Sequence, residues 1–404
     1  MSRIGRIAER DRASADLIRH LVMLALRTLP QAYLAGRFAY TLAAGPDGQV
    51  LPRGASTRDA IIAALGIAHL PEAQRRAVLA GQDCDDLLGL LARQLDQMTS
   101  RGDVALLCWA LAQAGHGELP LALSRLRELD QPAIAGPRPD DQLDMASAAW
   151  IVTALVAARP LADVEQHLGG ARSRLLTARR ALFPHLASGQ RPWYLAHLAS
   201  FADQVYPVQA LARLHASADD QEALDAANVV AGLICEAQGG AGQWWWHYDT
   251  RTGNVVECYP VYSVHQHAMA PMALLDLADA GGDSHADAVI AGLSWLSGPP
   301  ESAESLVVDD PPVIWRKVAR DDRHKLARGL AMITSRAMPG WRAPWLDRAF
   351  PPGVIDRECR PYELGWLLYA WLSTRPKLAD QAGAVAQPEP ATPAGQAQPA
   401  GQAV

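Results

Sequence analysis

Between Gln238 and His267 the chain crowds aromatic and titratable side chains together: Gln238-Gly-Gly-Ala-Gly-Gln-Trp-Trp-Trp-His-Tyr-Asp249, then Tyr259-Pro-Val-Tyr-Ser-Val-His-Gln-His267. Buried polar groups are costly without partners, so rings and titratable groups at this density point to the wall of a binding or catalytic cleft. Trp245 and Trp246 offer faces on which a sugar or an apolar substrate stacks. Tyr259, Tyr262, His265 and His267 offer hydrogen bonds, and Glu257 or His247 can shuttle a proton. The structural alternative is a hairpin whose tryptophans plug the core and whose polar groups satisfy one another. A pocket combines apolar walls with a few convergent polar groups, which favours the cleft for the segment as a whole. His265, His267 and His247 would need an anchored third ligand to hold a metal, and the sequence supplies none, so neither metal nor cofactor is expected.

Three other segments carry candidates. Ser200-Phe-Ala-Asp203-Gln-Val-Tyr206-Pro sets a carboxylate (Asp203) and a phenol (Tyr206) at a helix start. They read either as a helix cap favoured by the helix dipole or as acid and hydroxyl at a cavity rim. In Arg357-Glu-Cys-Arg360-Pro-Tyr-Glu363, Arg360 can clamp a carboxylate or phosphate and Glu363 can be the second carboxylate of an acid–base pair. Its plainer role is an ion pair holding the last helix. Cys359 has no adjacent histidine to activate it. Arg53-Gly-Ala-Ser56-Thr57-Arg58 can hold an anion on exposed amides, although a capped helix start is the simpler reading.

The elements that must position these residues are mostly helical. Apolar residues recur every three or four positions over Ala15–Leu29, Thr57–His69, Asp85–Met98, Val104–Ala114, Leu119–Leu129, Leu143–Ala158, Ala171–Leu186, Val205–His215, Gln221–Ala237, Met269–Asp279, His285–Leu296 and Tyr362–Ser373. Short gaps between them favour antiparallel neighbours. Two stretches break the pattern. Phe38 to Arg53 reads as an extended excursion around a turn, and Trp244–Tyr248 with Asn254–Tyr259 reads as a β-hairpin closed at Gly253. Alternation there sets Trp244, Trp246 and Tyr248 on one face and Trp245 with His247 on the other. The organisation expected is one domain over residues 1–380 and a disordered tail, rich in Ala, Gly, Gln and Pro, over 381–404.

Gln238-Gly-Gly-Ala-Gly242-Gln-Trp244 resembles the Gln-xxx-Gly-x-Trp repeat of squalene cyclases and their relatives, in which the Gln and Trp lock a helix end to the following turn. Together with the dozen paired helices, it implies an all-α fold, an α/α toroid with a short hairpin insertion. That superfamily includes terpenoid cyclases, prenyltransferase β-subunits and six-hairpin glycosidases and epimerases. The Asp-x-Asp-Asp acid motif of the cyclases is missing, since Asp140-Asp-Gln-Leu-Asp144 and Asp309-Asp-Pro-Pro312 lack its spacing. Asp356-Arg-Glu-Cys359 likewise misses the spacing of a prenyltransferase zinc site, and the Cys-His pair of lanthionine cyclases is not found.

Bulk properties narrow the field. The 404 residues are half apolar and 20% charged, with net charge −6, a soluble globular composition without the basic stripe of a nucleic-acid binder. No apolar run approaches the roughly 20 residues of a membrane span, and the N-terminal segment lacks a signal-peptide core, so a cytoplasmic protein is expected. Five scattered cysteines form no CxxC pair and suggest neither disulfides nor structural zinc. Three functions fit: an enzyme on saccharides or glycoconjugates (hydrolase, lyase or epimerase), a cyclase-like or prenyl-binding enzyme, and a non-catalytic binder of a small molecule. The alternation of aromatic and polar groups favours the first.

Overall fold

The computed structural model describes residues 1–131, 142–321, 326–341, 345 and 349–373. The tail expected from residue 381 and the end of the domain expected at 380 lie outside these described residues. In chain order the helices are α1 (Arg3–Arg10), α2 (Arg12–Ala32), α3 (Thr57–Ile67), α4 (Glu72–Val78), α5 (Cys84–Ala92), α6 (Arg101–Ala114), α7 (Leu119–Asp130), α8 (Met145–Ala158), α9 (Glu165–Ala178), α10 (Ala202–Ala218), α11 (Gln221–Glu236), α12 (Ala270–Asp279), α13 (Ala286–Ser297), α14 (Leu326–Ala337) and α15 (Pro361–Leu372). A π-helical turn, His265–Met269, leads directly into α12.

Alternate helices form an inner ring. α3 packs on α6, α6 on α8, α8 on α10, α10 on α12, α12 on α15, and α15 returns to α3, closing an α/α toroid. These helices are apolar almost all round, as in α8 (Met145-Ala-Ser-Ala-Ala-Trp-Ile-Val-Thr-Ala-Leu), because neighbours cover every face. The outer helices bury one stripe only: α2 does so through Ala15, Ile18, Leu21, Leu24, Ala25 and Leu29. The ring closes where α3 and α15 cross backbone to backbone. A Cβ on Gly365 would sit 2.7 Å from the Ala63 Cα, so only glycine permits this approach.

Midway along the inner helices the axis is filled. Trp109, Trp366 and Tyr206 meet across it, with ring centroids 5.7 Å (Trp109–Trp366) and 6.0 Å (Tyr206–Trp366) apart. Below them Arg213 lies 4.9 Å over Trp109 and donates to Asp276 at 2.7 Å, and Arg3 of α1 reaches the Ala370 carbonyl at 2.9 Å.

Several expectations shift in position. α9 runs Glu165–Ala178 instead of 171–186, because Pro184 bars helix at Phe183 and the Gln204 amide takes both backbone groups of Phe183, each at 2.9 Å. The stretch expected as one helix over Asp85–Met98 breaks into α5 and a short 3-10 turn, Leu95–Gln97. α1, α4 and α14 were not expected. The excursion from Phe38 to Arg53 is a hairpin, Thr41–Ala44 against Val50–Arg53, joined by Glu358–Cys359. The second hairpin is shorter than its pattern suggests: His247–Asp249 pairs with Val255–Glu257, with Gly253 at positive φ in the turn. A third strand, Leu198–Ser200, adds to its other edge. The strand begins only at His247, so alternation does not extend through the three tryptophans.

Candidate functional site

The N-terminal ends of all six inner helices open on one cavity of about 710 Å³. α3 contributes Arg58 and Asp59, α6 Asp103, and α8 Ala146 and Trp150. α10 brings Ala202 and Tyr206, the segment entering α12 Tyr262, His265 and Met269, and α15 Tyr362 with Arg360 just before it. Arg316, Trp246 and Tyr40 complete the wall from the loops. A helix N-terminus carries unpaired N–H groups and a partial positive charge, which explains why caps and acidic residues gather here. Ser56 caps α3 through the Asp59 N–H (3.1 Å), Ser100 caps α6 through the Asp103 N–H (3.3 Å), and Asp144 caps α8 through the Ser147 N–H (2.8 Å).

Two carboxyl groups are held well above the ordinary range. Asp59 is buried in the cavity wall. It accepts from the Ser56 hydroxyl at 2.9 Å on Oδ1, and Oδ2 has no hydrogen-bond partner. Burial lifts this carboxyl to about 6, against the pull of the Ser56 bond and of Arg360, Arg58 and Arg316. Glu363, in the first turn of α15, lies behind the wall. Its carboxylate meets Arg316 Nε at 3.3 Å, yet burial still raises it to about 7. Arg316 also stands 5.3 Å over the Tyr262 ring, Arg360 stands 4.1 Å over Tyr40, and Arg58 stands 5.6 Å over Trp150 while pairing with Asp103. Each arginine has a carboxylate partner, Arg58 in Asp103, Arg316 in Glu363 and Arg360 in Glu358 at 3.0 Å, and each has further guanidinium donors to offer an anionic ligand.

Of the residues singled out from sequence, Ser56, Thr57, Arg58, Tyr206, Trp246, Tyr262, His265 and Arg360 line this cavity together. The others are placed differently. Glu257 lies opposite His247 in the hairpin, where its carboxylate meets Arg320 at 3.5 Å and the Tyr259 N–H at 2.9 Å. Trp245 packs edge-on against Tyr259, whose hydroxyl lies 3.3 Å from Glu301, away from the cavity lining. His247 stacks on Trp246 at 4.1 Å and so braces a wall residue from behind. Asp203 does not line the cavity. It accepts from the Ser200 N–H and hydroxyl, each at 2.8 Å, and pairs with His185 at 3.0 Å, whose imidazole this bond raises. His267 is fully buried with neither ring nitrogen partnered, and burial drives its basicity down to about 3. Among the described residues no group of three or more His, Cys, Asp or Glu is arranged to hold a metal ion.

The Gln238–Trp244 segment makes a tight lock. The Gln238 amide donates to the carbonyls of Gly242 and Ala288, both at 2.9 Å, and Trp244 is fully buried 5.5 Å from Phe201. Sequence reasoning missed Asp59, Asp103, Trp150, Arg316 and Tyr362 as cavity residues. Only Ser56–Asp59 carried a signal, and it read as a cap.

No protein-family model and no curated protein sequence matches the chain. Solved structures do share its architecture. One is the unsaturated glucuronyl hydrolase of Bacillus sp. GL1, described as responsible for glycosaminoglycan degradation, at 14% identity and TM-score 0.57 over 88% of this chain and 95% of that one. Another is an unsaturated glucuronyl hydrolase specific for heparin, at 12% and 0.56 over 88% and 95%. A sugar epimerase from a ruminal bacterium aligns at 10% and 0.55 over 89% and 98%. At these identities the likeness shows the fold, the α/α toroid. Among the described residues no helix is long and apolar enough to cross a membrane.

Proposed function

We propose that the chain is a carbohydrate-processing enzyme of hydrolase, lyase or epimerase type whose substrate is a saccharide carrying an anionic group, such as a uronate. The observation that carries this reading is the single cavity at the inner-helix N-termini, which unites aromatic faces, three arginines and a buried carboxyl held near 6. Trp246 and Tyr262 supply stacking faces for a sugar ring. Arg58, Arg316 and Arg360 receive the anionic group, and Tyr206 offers a hydroxyl. Asp59 takes the acid–base role: a carboxyl with a raised pKa keeps a proton to give, and Asp103 across the wall is the second carboxylate. Glu257, His247, Asp203 and Glu363 then act from behind, holding the hairpin, the α10 start and Arg316. The solved neighbours named for unsaturated glucuronyl substrates support a uronate, and the epimerase keeps that reaction type open.

A cyclase-like or prenyl-binding enzyme has less behind it, because a cavity for an isoprenoid should be dry and aromatic, and arginines and aspartates stud this one. The test is turnover of unsaturated glucuronyl disaccharides beside saturated and neutral ones, read by loss of the unsaturated chromophore and by product chromatography. Turnover that falls at least ~100-fold in Asp59→Asn supports the reading. No turnover together with no thermal stabilisation by any of these sugars overturns it.

A further inference from the structure

The π-helical turn at the head of α12 is an expensive way to begin a helix, since it takes one more residue than an α-turn. Side chains brace it: Gln266 donates to the Tyr262 carbonyl at 3.2 Å and accepts the Trp244 N–H at 3.3 Å, and Trp371 donates to the His267 carbonyl at 2.7 Å. The result is that His265 lines the cavity while His267 is turned into the core. The His265 ring is fixed between Phe201 and Tyr262, with centroids 4.6 and 5.0 Å away. It is 5% exposed, and its Nδ1 has no hydrogen-bond partner. Nδ1 is sealed from the cavity, which leaves Nε2 as the nitrogen that a ligand in the cavity can reach.

The ligand group can be narrowed. Burial drives the imidazole down to about 3, helped by His267 and Arg316 and opposed by a hydrogen bond with the Trp244 backbone, so the ring is neutral at physiological pH. Lys317 stands 5.4 Å over the adjoining Tyr262 ring, and no carboxylate figures among the groups acting on the imidazole. A neutral imidazole has one donor and one acceptor nitrogen. The ring spends its one N–H on the Trp244 backbone, so its other nitrogen accepts, and a ligand hydroxyl can donate to it whereas a carboxylate cannot. We propose that His265 is a specificity-determining residue that hydrogen-bonds one hydroxyl of the saccharide and so fixes which sugar is accepted and in which orientation. This rests on the saccharide reading of the cavity.

The experiment is a binding cycle by calorimetry with D-glucuronate and its 2-, 3- and 4-deoxy forms, on the full chain and on His265→Phe and His265→Gln. Wild type should bind one deoxy form at least ~10-fold more weakly than D-glucuronate. His265→Phe should bind D-glucuronate that much more weakly and no longer distinguish that deoxy form, and His265→Gln should recover part of the difference. Equal discrimination in wild type and both variants overturns the proposal while leaving the saccharide reading intact. Should His265→Phe fail to fold, the same comparison in His265→Gln decides. If wild type binds none of the four sugars, the saccharide reading fails, and this proposal with it.

Discussion

The Ser56 hydroxyl donates to Asp59 Oδ1 at 2.9 Å and accepts the Asp59 N–H at 3.1 Å, which leaves Asp59 Oδ2 buried with no partner. Ser56 thus caps the inner helix α3, and Asp59, three residues on, keeps one oxygen on the cap hydroxyl and the other bare. Burial in the cavity wall raises the basicity of this carboxyl, although the Ser56 bond favours its ionised form.

Asp59→Asn isolates the acid–base duty, because the amide oxygen still accepts from the Ser56 hydroxyl but the side chain cannot give a proton. Turnover should fall by roughly 100-fold or more. Stability should move the other way. Burial holds the folded carboxyl at about 6, above its ordinary 3.8, so its contribution is intact below about pH 4 and is lost as pH rises through 6. A two-unit difference corresponds to about 3 kcal/mol. Thermal melts should show Asp59→Asn more stable than wild type at pH 8 and indistinguishable from it at pH 4. A variant less stable at pH 8 refutes the assignment.

Arg316 joins three parts of the site: it stands over Tyr262, meets Glu363 at 3.3 Å and precedes the strand Lys317–Arg320. Arg316→Gln should weaken D-glucuronate at least ~10-fold and D-glucose much less, and should reduce the salt dependence of glucuronate binding. Equal losses for both sugars would assign Arg316 a packing role.

How much of this was legible beforehand depends on what a residue's role needs. Helices with a repeated apolar stripe, such as α2 and α11, show themselves in sequence because one face is buried whatever the partner. α1 did not, being eight residues long with three arginines, and it is held by Arg3 reaching Ala370, hundreds of positions away. The aromatic segment drew attention to Trp246, Tyr262 and His265, which line the cavity. It could not tell them from Trp245 and Tyr259, because the strand starts at His247 and the tryptophans follow no alternation. Asp59 and Asp103 look like ordinary first-turn residues, and only closure of the ring brings them with Arg58 to one cavity.

His267 offers a test with the opposite pH sense. Its ring is fully buried with both nitrogens unpartnered, so an apolar side chain of similar volume should be tolerated. Burial lowers its folded basicity to about 3, below the ordinary 6.5. A base depressed in this way contributes fully above about pH 6.5, and that contribution is lost as pH falls toward 3. His267→Leu should therefore melt close to wild type at pH 7 and above it at pH 4.5. A large loss at pH 7 would mean that the imidazole has a hydrogen-bonding duty.

Trp244 and Trp246, two residues apart, should answer to different measurements. Trp244 is fully buried against Phe201 and the backbone of Gly292, in the turn that Gln238 ties to Gly242 and Ala288. Gly242 has φ +97°, and a Cβ there would collide with the Ala291 carbonyl, so the turn admits no larger residue. Trp244→Ala truncates the core and should cost ~3–5 kcal/mol, seen as a fall of several degrees in melting temperature. Trp246 is half-buried, lines the cavity and rests on His247, so Trp246→Ala removes a stacking face with less loss of packing. It should raise KM, or the dissociation constant for D-glucuronate, about tenfold, which corresponds to about 1.4 kcal/mol. Parallel melts and binding isotherms check both. If Trp244→Ala melts like wild type, the locked turn is not what holds this end of α11. If Trp246→Ala binds sugar unchanged, the stacking face lies elsewhere on the wall.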